Sequence, residues 1–270
     1  MTAYIASLAG LLGLAVGSFL NVVIHRVPRG ESVVSPPSAC PSCGHHIRNR
    51  HNVPVVGWLI LKGKCFDCGA PISPRYPLVE LGTGLLFAAV AIRFAGFDTS
   101  SPSGSDYSTN GLQVLPAYLV FAALGVALTG IDLDVRRLPN VLVLPAYPVL
   151  AALLAIDADG PRALRAVEGG VGLFAFFFVI AFAAPGAMGF GDVKLSGLIG
   201  AMAAYVSWGT FLTAAFGAFF FGAVLGVALI LVRGAGRKTA VPFGPFLILG
   251  VWVALLGAGQ LGEAYLNALG

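Results

Sequence analysis

Long apolar runs separated by short charged segments constrain this chain more than any other feature. Of its 270 residues, 57% are apolar and only 10% are charged, and the mean hydropathy is +0.88. Soluble domains carry about 25% charged residues. Because a spanning helix needs roughly 20 apolar residues, the chain has room for about eight spans. The sequence therefore predicts an all-α polytopic membrane protein with about eight transmembrane helices.

The first apolar run, residues 3–24, has no positive charge before it, which predicts a retained span rather than a cleaved secretory signal. Small residues at Gly13 and Gly17 favour close helix packing. We interpret Asn21 as the donor or acceptor of an interhelical hydrogen bond. His25 is interpreted as a solvated interface residue, and Glu80, which opens the second span, as a structural residue.

The basic residues predict how the spans are oriented. The net charge of +4 is small and does not indicate a nucleic-acid partner. Lys and Arg near spans mark the cytoplasmic side. In the predicted topology, all 16 Lys and Arg residues except Arg93, Arg162 and Arg165 lie on one side, and both termini lie on the other. Residues 97–111 and 157–168 are expected to be loops on that other side.

All four cysteines lie in the one sizeable polar stretch, as two CxxC pairs separated by 21 residues: Cys40, Cys43, Cys65 and Cys68. Two such pairs can present four thiolates tetrahedrally, which suits a structural Zn(II) site. Two disulfides or a redox pair are the alternatives, but the many basic residues of this segment indicate a cytoplasmic, reducing location. His45, His46 and His51 are not expected to be ligands, since four thiolates complete a closed site.

Two acidic segments interrupt the apolar runs. Asp132 and Asp134 follow the third run, before Pro139, and Asp192 lies in Gly189–Lys194, where glycines and Pro185 disfavour a continuous helix. Each could be an ordinary charged loop at the membrane surface. The predicted topology instead puts Asp132 and Asp192 at the same depth on one side of the bundle. An ionisable residue beside a helix break is a candidate functional site.

Paired aspartates have a known chemistry. Two carboxylates within a few ångströms cannot both ionise easily, so the pair shares one proton. One carboxylate then activates a water as general base, and the other protonates the leaving group of an amide. Asp132 and Asp192 are therefore predicted to be the catalytic pair of an aspartic protease. Lys194 is expected to cap a helix or to meet lipid phosphates.

In combination, these motifs resemble the type IV prepilin peptidases, which are bacterial membrane aspartyl proteases of the GxGD kind. The resemblance rests on Asp132 with Leu138-Pro139-Asn140, on Gly189-x-Gly191-Asp192-x-Lys194, on the two CxxC pairs, and on 75–80. It extends from Gly17-Ser18-Phe19-Leu20-Asn21 to Pro242-Phe243-Gly244-Pro245, and so covers nearly the whole chain.

The resemblance implies a function and a division of the chain. The family cleaves basic leaders from prepilins and pseudopilins at the cytoplasmic face of the inner membrane, and many members then methylate the new N terminus with S-adenosylmethionine. Residues 1–24 would be the first transmembrane helix, 25–77 a cytoplasmic zinc-binding segment, and 78–270 the transmembrane aspartyl protease core. The substrates would carry a basic leader and an apolar helix. No glycine-rich fingerprint marks a methyl-donor site, so no donor-binding residue is predicted.

Two other functions share some of these features. An ion-coupled transporter also has broken helices with carboxylates, but its charged groups lie near mid-bilayer and its two halves show paired breaks. A non-catalytic membrane assembly component would use the cysteine segment for docking and would tolerate the loss of both aspartates. The sequence does not specify the pilin substrates or the oligomeric state.

Overall fold

The protein is built of helices. The computed structural model describes residues 1–95, 111–184, 188–233 and 242–269, and within these ranges the only β-structure is two isolated bridges. The α-helices are α1 (Thr2–Arg26), α2 (Val56–Ile60), α3 (Arg75–Ala95), α4 (Gly111–Val135), α5 (Asn140–Leu154), α6 (Gly160–Ala183), α7 (Phe190–Val206), α8 (Trp208–Arg233), α9 (Gly244–Val253) and α10 (Gly259–Leu269). A π-helical segment, Ala254–Ala258, joins α9 to α10. The predicted all-α class is confirmed.

Six described segments are long and apolar enough to cross a membrane. They are α1, α3, α4, α6, α8 and the continuous stretch from α9 through α10. Two other helices are shorter, with 15 residues in α5 and 17 in α7. At 1.5 Å per residue, α7 is about 26 Å long, slightly less than a hydrocarbon core of about 30 Å. The described residues thus contain six candidate spans and one shorter apolar helix, α5, so the expected count of about eight is approximate.

The boundary of one predicted loop is wrong by several residues. The far-side loop predicted at 157–168 is mostly helix, because α6 begins at Gly160. Asp159 caps this helix by accepting a hydrogen bond from the Arg162 N–H at 2.9 Å, and Pro161 occupies its first turn, where proline is favoured. Residues 97–110 of the other predicted loop lie outside the described residues.

The chain forms two compact units and passes from one to the other inside α4, between Gly130 and Ile131. The first unit contains the described residues up to Ala95 together with Leu115–Gly130, and the second contains residues 111–114 and the described residues from Ile131 onward. The division at residues 24 and 77 that the sequence suggested stays a prediction.

Close contact between α1 and α3 organises the first unit. A Cβ atom at Gly17 would lie 2.7 Å from the Cα atom of Glu80, and one at Gly13 would lie 2.8 Å from the Thr83 carbonyl oxygen. Only glycine allows two helix backbones to approach this closely. The Asn21 side chain adds a hydrogen bond to the Tyr76 carbonyl, at 3.1 Å. The predicted close packing and the interhelical bond of Asn21 are both confirmed.

In the second unit, α7 is the central helix. Buried residues follow one another from Asp192 to Val206, interrupted only at Lys194 and Ala201, and Ile199, Met202 and Ala203 are each 1% exposed or less. A helix that is apolar on every side is surrounded by other elements. Its neighbour α6 approaches through Gly169 and Gly170, which face Gly200 and Gly197 of α7. The small residues therefore allow α7 to be enclosed.

Two arginines that departed from the predicted charge distribution have structural partners at the C-terminal end of α7. Arg165 donates to the carbonyl oxygens of Ala204 at 2.5 Å and of Tyr205 at 2.7 Å. These are among the last carbonyls of the helix, which lack helical partners and attract cations. Arg162 forms a buried ion pair with Asp157 at 2.8 Å. Arg165 therefore fixes the far end of α7, and Asp157 links Arg162 to it by accepting a hydrogen bond from the Tyr205 hydroxyl at 3.2 Å.

The contact between α1 and α3 can be tested with two matched alanine substitutions in α1. Gly17→Ala should lower the stability by about 1–3 kcal/mol, since its Cβ overlaps backbone. Gly10→Ala is the control, because its Cβ would lie 3.5 Å from the Ala88 Cβ, an ordinary contact. Thermal unfolding in detergent should show a lower midpoint for Gly17→Ala only. Equal midpoints for the two variants would contradict this packing.

Candidate active site

Asp132 lies in the last turn of α4. The sequence placed it where the third span ends, near Gly130, but the helix continues to Val135. It ends at Arg136, whose φ of +52° stops the helix and whose N–H donates to the Asp132 carbonyl at 2.9 Å. Asp132 is 5% exposed, whereas Asp134 is exposed. The helix therefore turns Asp132, and not Asp134, into the protein.

Asp192 lies in the first turn of α7. The predicted helix break is confirmed, since α6 ends at Ala183 and α7 begins at Phe190. Asp192 is helical rather than part of a loop, and its N–H donates to the carbonyl of Gly189, the N-cap residue, at 3.0 Å. It is 9% exposed. The partial positive charge of a helix N-terminus favours a carboxylate at this position.

The two carboxyl groups converge next to Gly244, the first residue of α9. A Cβ atom at Gly244 would lie 2.7 Å from Oδ2 of Asp132 and 3.5 Å from Oδ1 of Asp192. Because both distances start from one point, their sum of 6.2 Å is an upper limit for the separation of these two oxygens. A single water molecule or peptide carbonyl can contact both carboxyl groups across such a distance. The absence of a side chain at Gly244 leaves the necessary space.

One of these oxygens lacks an internal partner. Oδ2 of Asp132 is buried and accepts no hydrogen bond from any described residue. A buried carboxylate oxygen without a donor is unfavourable. A proton shared with a second carboxyl group, or a water molecule between the two groups, would supply the missing hydrogen bond. The geometry therefore fits a pair of aspartates that holds one proton between them.

The segment that joins α4 to α5 contacts the first turns of α7, the helix that carries Asp192. Gly191 contacts Leu138 closely, since a Cβ atom at Gly191 would lie 2.9 Å from the Leu138 Cβ. Pro139 is the N-cap of α5. Asn140 follows and accepts a hydrogen bond from the Lys194 ammonium at 2.9 Å. Contacts on both sides of Asp192 thus come from residues that follow Asp132 closely in the chain.

A cavity of about 330 Å³ opens at this point in the second unit. Its lining includes both aspartates and three cationic residues, Arg136, Arg137 and Lys194. The Lys194 ammonium contacts the Asn140 side chain and lies 5.0 Å from the centre of the Phe190 ring. The cavity has the size of a small-ligand pocket. It can admit a short stretch of peptide to the carboxyl pair.

The four cysteines form a second cluster, in the first unit. The two CxxC pairs adopt the same turn: Gly44 N–H donates to the Cys40 carbonyl and Gly69 N–H to the Cys65 carbonyl, each at 2.9 Å. Both glycines have positive φ, +74° and +72°, which is the conformation glycine adopts most readily. The repeated turn aims the thiols of both pairs at one point.

The cysteine cluster has the dimensions of a tetrahedral metal site. Its four sulfur atoms lie within 4.8 Å of one another, and the Sγ atoms of Cys40 and Cys68 are 3.8 Å apart. Four sulfurs at about 2.3 Å from a central zinc would be about 3.8 Å apart. Backbone N–H groups of Cys43 and Ser42 lower the pKa of the Cys40 thiol to about 6. All four cysteines are free thiols, so they could bind a metal ion.

The residues for which the sequence indicated no direct functional role are accounted for by the fold. The carboxylate of Glu80 accepts a hydrogen bond from the Val55 N–H at 2.7 Å and so fixes the cysteine-rich segment to α3. The His51 ring packs against Phe66 with the ring centres 4.7 Å apart. His25 is exposed. None of these histidines belongs to the cysteine cluster.

The sequence alone assigns no role in the site to two residues that shape it. Gly244 is one of 36 glycines, and its role depends on the proximity of Asp132 and Asp192, which lie far from it in sequence. In the sequence, Tyr147 is not distinguished from the other aromatic residues of the apolar spans. In the structure its hydroxyl donates to the Lys194 carbonyl at 2.6 Å. Only the folded arrangement of α5 and α7 reveals this bond.

Known proteins match nearly the whole chain. A bacterial peptidase A24 N-terminal domain matches residues 11–94, and the type IV leader peptidase family matches residues 119–227. A prepilin leader peptidase/N-methyltransferase of Pseudomonas aeruginosa is 37% identical, covering 96% of this chain and 93% of that protein. This chain belongs to the type IV leader peptidase family.

Two further relatives are similar over most of this chain. The prepilin leader peptidase/N-methyltransferase of Aeromonas hydrophila is 35% identical, covering 97% of this chain and 93% of that protein. That of Myxococcus xanthus is 40% identical, covering 85% of this chain and 64% of that protein. No solved structure matches the chain. The family region 119–227 contains both aspartates, and region 11–94 contains all four cysteines.

Proposed function

We propose that this chain cleaves the leader peptide of type IV prepilins or related pseudopilins, with Asp132 and Asp192 as the catalytic pair. The observation that carries the proposal is the convergence of two buried carboxyl groups, whose nearest measured oxygens are at most 6.2 Å apart, at an open cavity. Membership of the type IV leader peptidase family supports the substrate class. No observation favours the transporter or the non-catalytic component.

The carboxyl pair would act without a covalent intermediate. In the resting state one aspartate is ionised and the other holds the shared proton. The ionised carboxylate removes a proton from a water molecule as this water attacks the scissile carbonyl carbon. The other carboxyl group donates its proton to the amide nitrogen as the C–N bond breaks. At the end of the reaction the pair again holds one proton, but on the other aspartate. Transfer of this proton between the two carboxyl groups restores the starting state.

The position of the site fits a substrate that is partly embedded in the membrane. Asp132 lies at the C-terminal end of one apolar helix and Asp192 at the N-terminal end of another. A prepilin has a basic leader followed by an apolar helix. We propose that this helix lies in the inner membrane, so that the peptide bond before it meets the carboxyl pair at the cytoplasmic surface. The excess of Lys and Arg on that side supports this orientation.

We propose that the four cysteines hold a structural zinc ion within the cytoplasmic segment 25–77. Their spacing and sulfur geometry support the assignment. So small a segment buries little apolar surface, so zinc would supply much of its folding energy. Residues 1–24 and 78–270 would then be the first transmembrane helix and the protease core.

N-methylation of the new N terminus with S-adenosylmethionine is the second proposed activity. The names of the similar proteins support it. We assign no residue of the described chain to the methyl donor. The transfer would follow cleavage, since it needs the free amine that proteolysis creates.

Substitution of each aspartate by asparagine tests the protease directly. Asp132→Asn and Asp192→Asn should each lower kcat for prepilin cleavage by about 10²–10⁴-fold or more, because an amide cannot replace an acid or a base. Asp134→Asn is the matched control, since Asp134 is exposed in the same turn of α4. It should retain activity. Full cleavage by either of the first two variants would overturn the proposal in favour of a non-catalytic component.

A methyl group beside the carboxyl pair should block the reaction without unfolding the protein. Gly244→Ala would put its Cβ 2.7 Å from Oδ2 of Asp132, and rotation of that carboxylate relieves the overlap. We expect a loss of kcat of roughly tenfold or more, with a small change in stability. Gly172→Ala, whose Cβ meets nothing within 4 Å, is the control. Unchanged cleavage by Gly244→Ala would show that the space is not needed.

Metal analysis tests the cysteine site. The purified protein should contain one equivalent of zinc, and Cys43→Ser should lower this content and destabilise segment 25–77, as seen by limited proteolysis. His46→Ala provides the control, because His46 lies beside the cluster without belonging to it. Zinc that persists after Cys43→Ser, or that is lost after His46→Ala, would contradict the four-thiolate site.

A further inference from the structure

A tyrosine on α5 makes a direct bond to the helix that carries Asp192. The Tyr147 hydroxyl donates to the carbonyl oxygen of Lys194, at 2.6 Å, two residues beyond Asp192. That hydroxyl occupies a notch in α7 that exists because residue 197 is glycine. A Cβ atom at Gly197 would overlap the hydroxyl oxygen, while it would stay 3.4 Å from the ring carbon that bears it. Tyrosine and glycine are therefore matched at these two positions.

A second bond joins the same two helices at the same residue. The side-chain oxygen of Asn140, the first residue of α5, accepts from the Lys194 ammonium at 2.9 Å. Both the backbone and the side chain of Lys194 are thus held by α5. On the other side of Asp192, Gly191 is in contact with Leu138. Asp192 is the residue enclosed by these contacts.

The placement of Asp192 matters more than its stability. A carboxyl pair shares its proton only while the two groups stay in reach, and a displacement of about 1 Å can cost on the order of 10²-fold in rate. The first turn of a helix is held by fewer backbone hydrogen bonds than its middle. Contacts on Lys194 oppose movement of this turn away from Asp132.

We propose that Tyr147 is a positioning residue for the reaction: its hydroxyl, fitted into the notch at Gly197, fixes the first turns of α7 so that Asp192 faces Asp132. The inference rests on the proposed protease function and deepens it. Tyr147 acts through the Lys194 backbone and does not itself exchange a proton with the substrate.

A pair of compensating substitutions tests the matched fit. Tyr147→Phe should lower kcat for cleavage of a cognate prepilin by about two- to tenfold, the equivalent of one hydrogen bond, with little change in KM. Gly197→Ala in the presence of Tyr147 should lower kcat by roughly tenfold or more, because the methyl group displaces the hydroxyl or the helix. The double variant Tyr147→Phe/Gly197→Ala should recover to the level of Tyr147→Phe, since no hydroxyl is left to overlap.

Tyr205→Phe is the matched control. Tyr205 lies near the other end of α7, and its hydroxyl also contacts α5 and the segment just after it, at 3.3 Å from the Leu154 carbonyl and 3.2 Å from the Asp157 carboxylate. Its loss removes a comparable contact between the same two helices, far from Asp192. Tyr205→Phe should leave kcat unchanged even where it lowers the thermal midpoint as much as Tyr147→Phe does.

The outcomes separate positioning from simple stabilisation. Recovery in the double variant, with kcat unaffected by Tyr205→Phe, supports the proposal. The proposal would be overturned if Tyr147→Phe and Tyr205→Phe lowered kcat equally. It would also be overturned if Gly197→Ala lowered kcat as much in the Tyr147→Phe background as in the wild type. If the wild-type chain does not cleave the prepilin, the proposed protease function itself fails. Should Tyr147→Phe fold poorly, the double variant, whose methyl group fills the notch, decides the question.

Discussion

Bringing two carboxyl groups together inside an apolar protein is the constraint on which the rest of this structure depends. Asp132 and Asp192 are each less than one-tenth exposed, and buried like charges are unfavourable unless they share a proton. The pair can form only where α4 ends and α7 begins at the same place. Gly244 at the start of α9 must then lack a side chain. The site is thus a meeting point of helix ends.

The surrounding framework explains why those ends are held in position. α7 is largely buried beyond its first turn, and its neighbour α6 approaches through Gly169 and Gly170. Its C-terminal carbonyls are bound by Arg165, and its N-terminal turns are bound by α5. A helix fixed at both ends can present one carboxylate at a constant position. Glycines thus allow the helices to approach one another closely, and buried polar side chains fix the register between them.

The fold was largely predictable because hydrophobic runs of spanning length determine helices with little ambiguity. The first and last residues of the helices were less predictable, because a helix can extend beyond its run of apolar residues. α4 continues five residues past Gly130, and α6 begins at Gly160 because Asp159 caps it. Asp132, Asp192 and the four cysteines were singled out as candidate site residues from charge and spacing. Gly244 and Tyr147 were not, because their roles come from contacts between residues distant in sequence.

The most direct test of the central claim is the binding of a prepilin peptide in which the scissile amide is replaced by a hydroxyl-bearing tetrahedral carbon. Such a group imitates the intermediate that both carboxyl groups would contact together. It should bind at least about 10²-fold more tightly than the corresponding uncleavable amide analogue. Asp132→Asn and Asp192→Asn should each remove this gain, and Asp134→Asn should not. A gain that survives either of the first two substitutions would contradict a shared carboxyl pair.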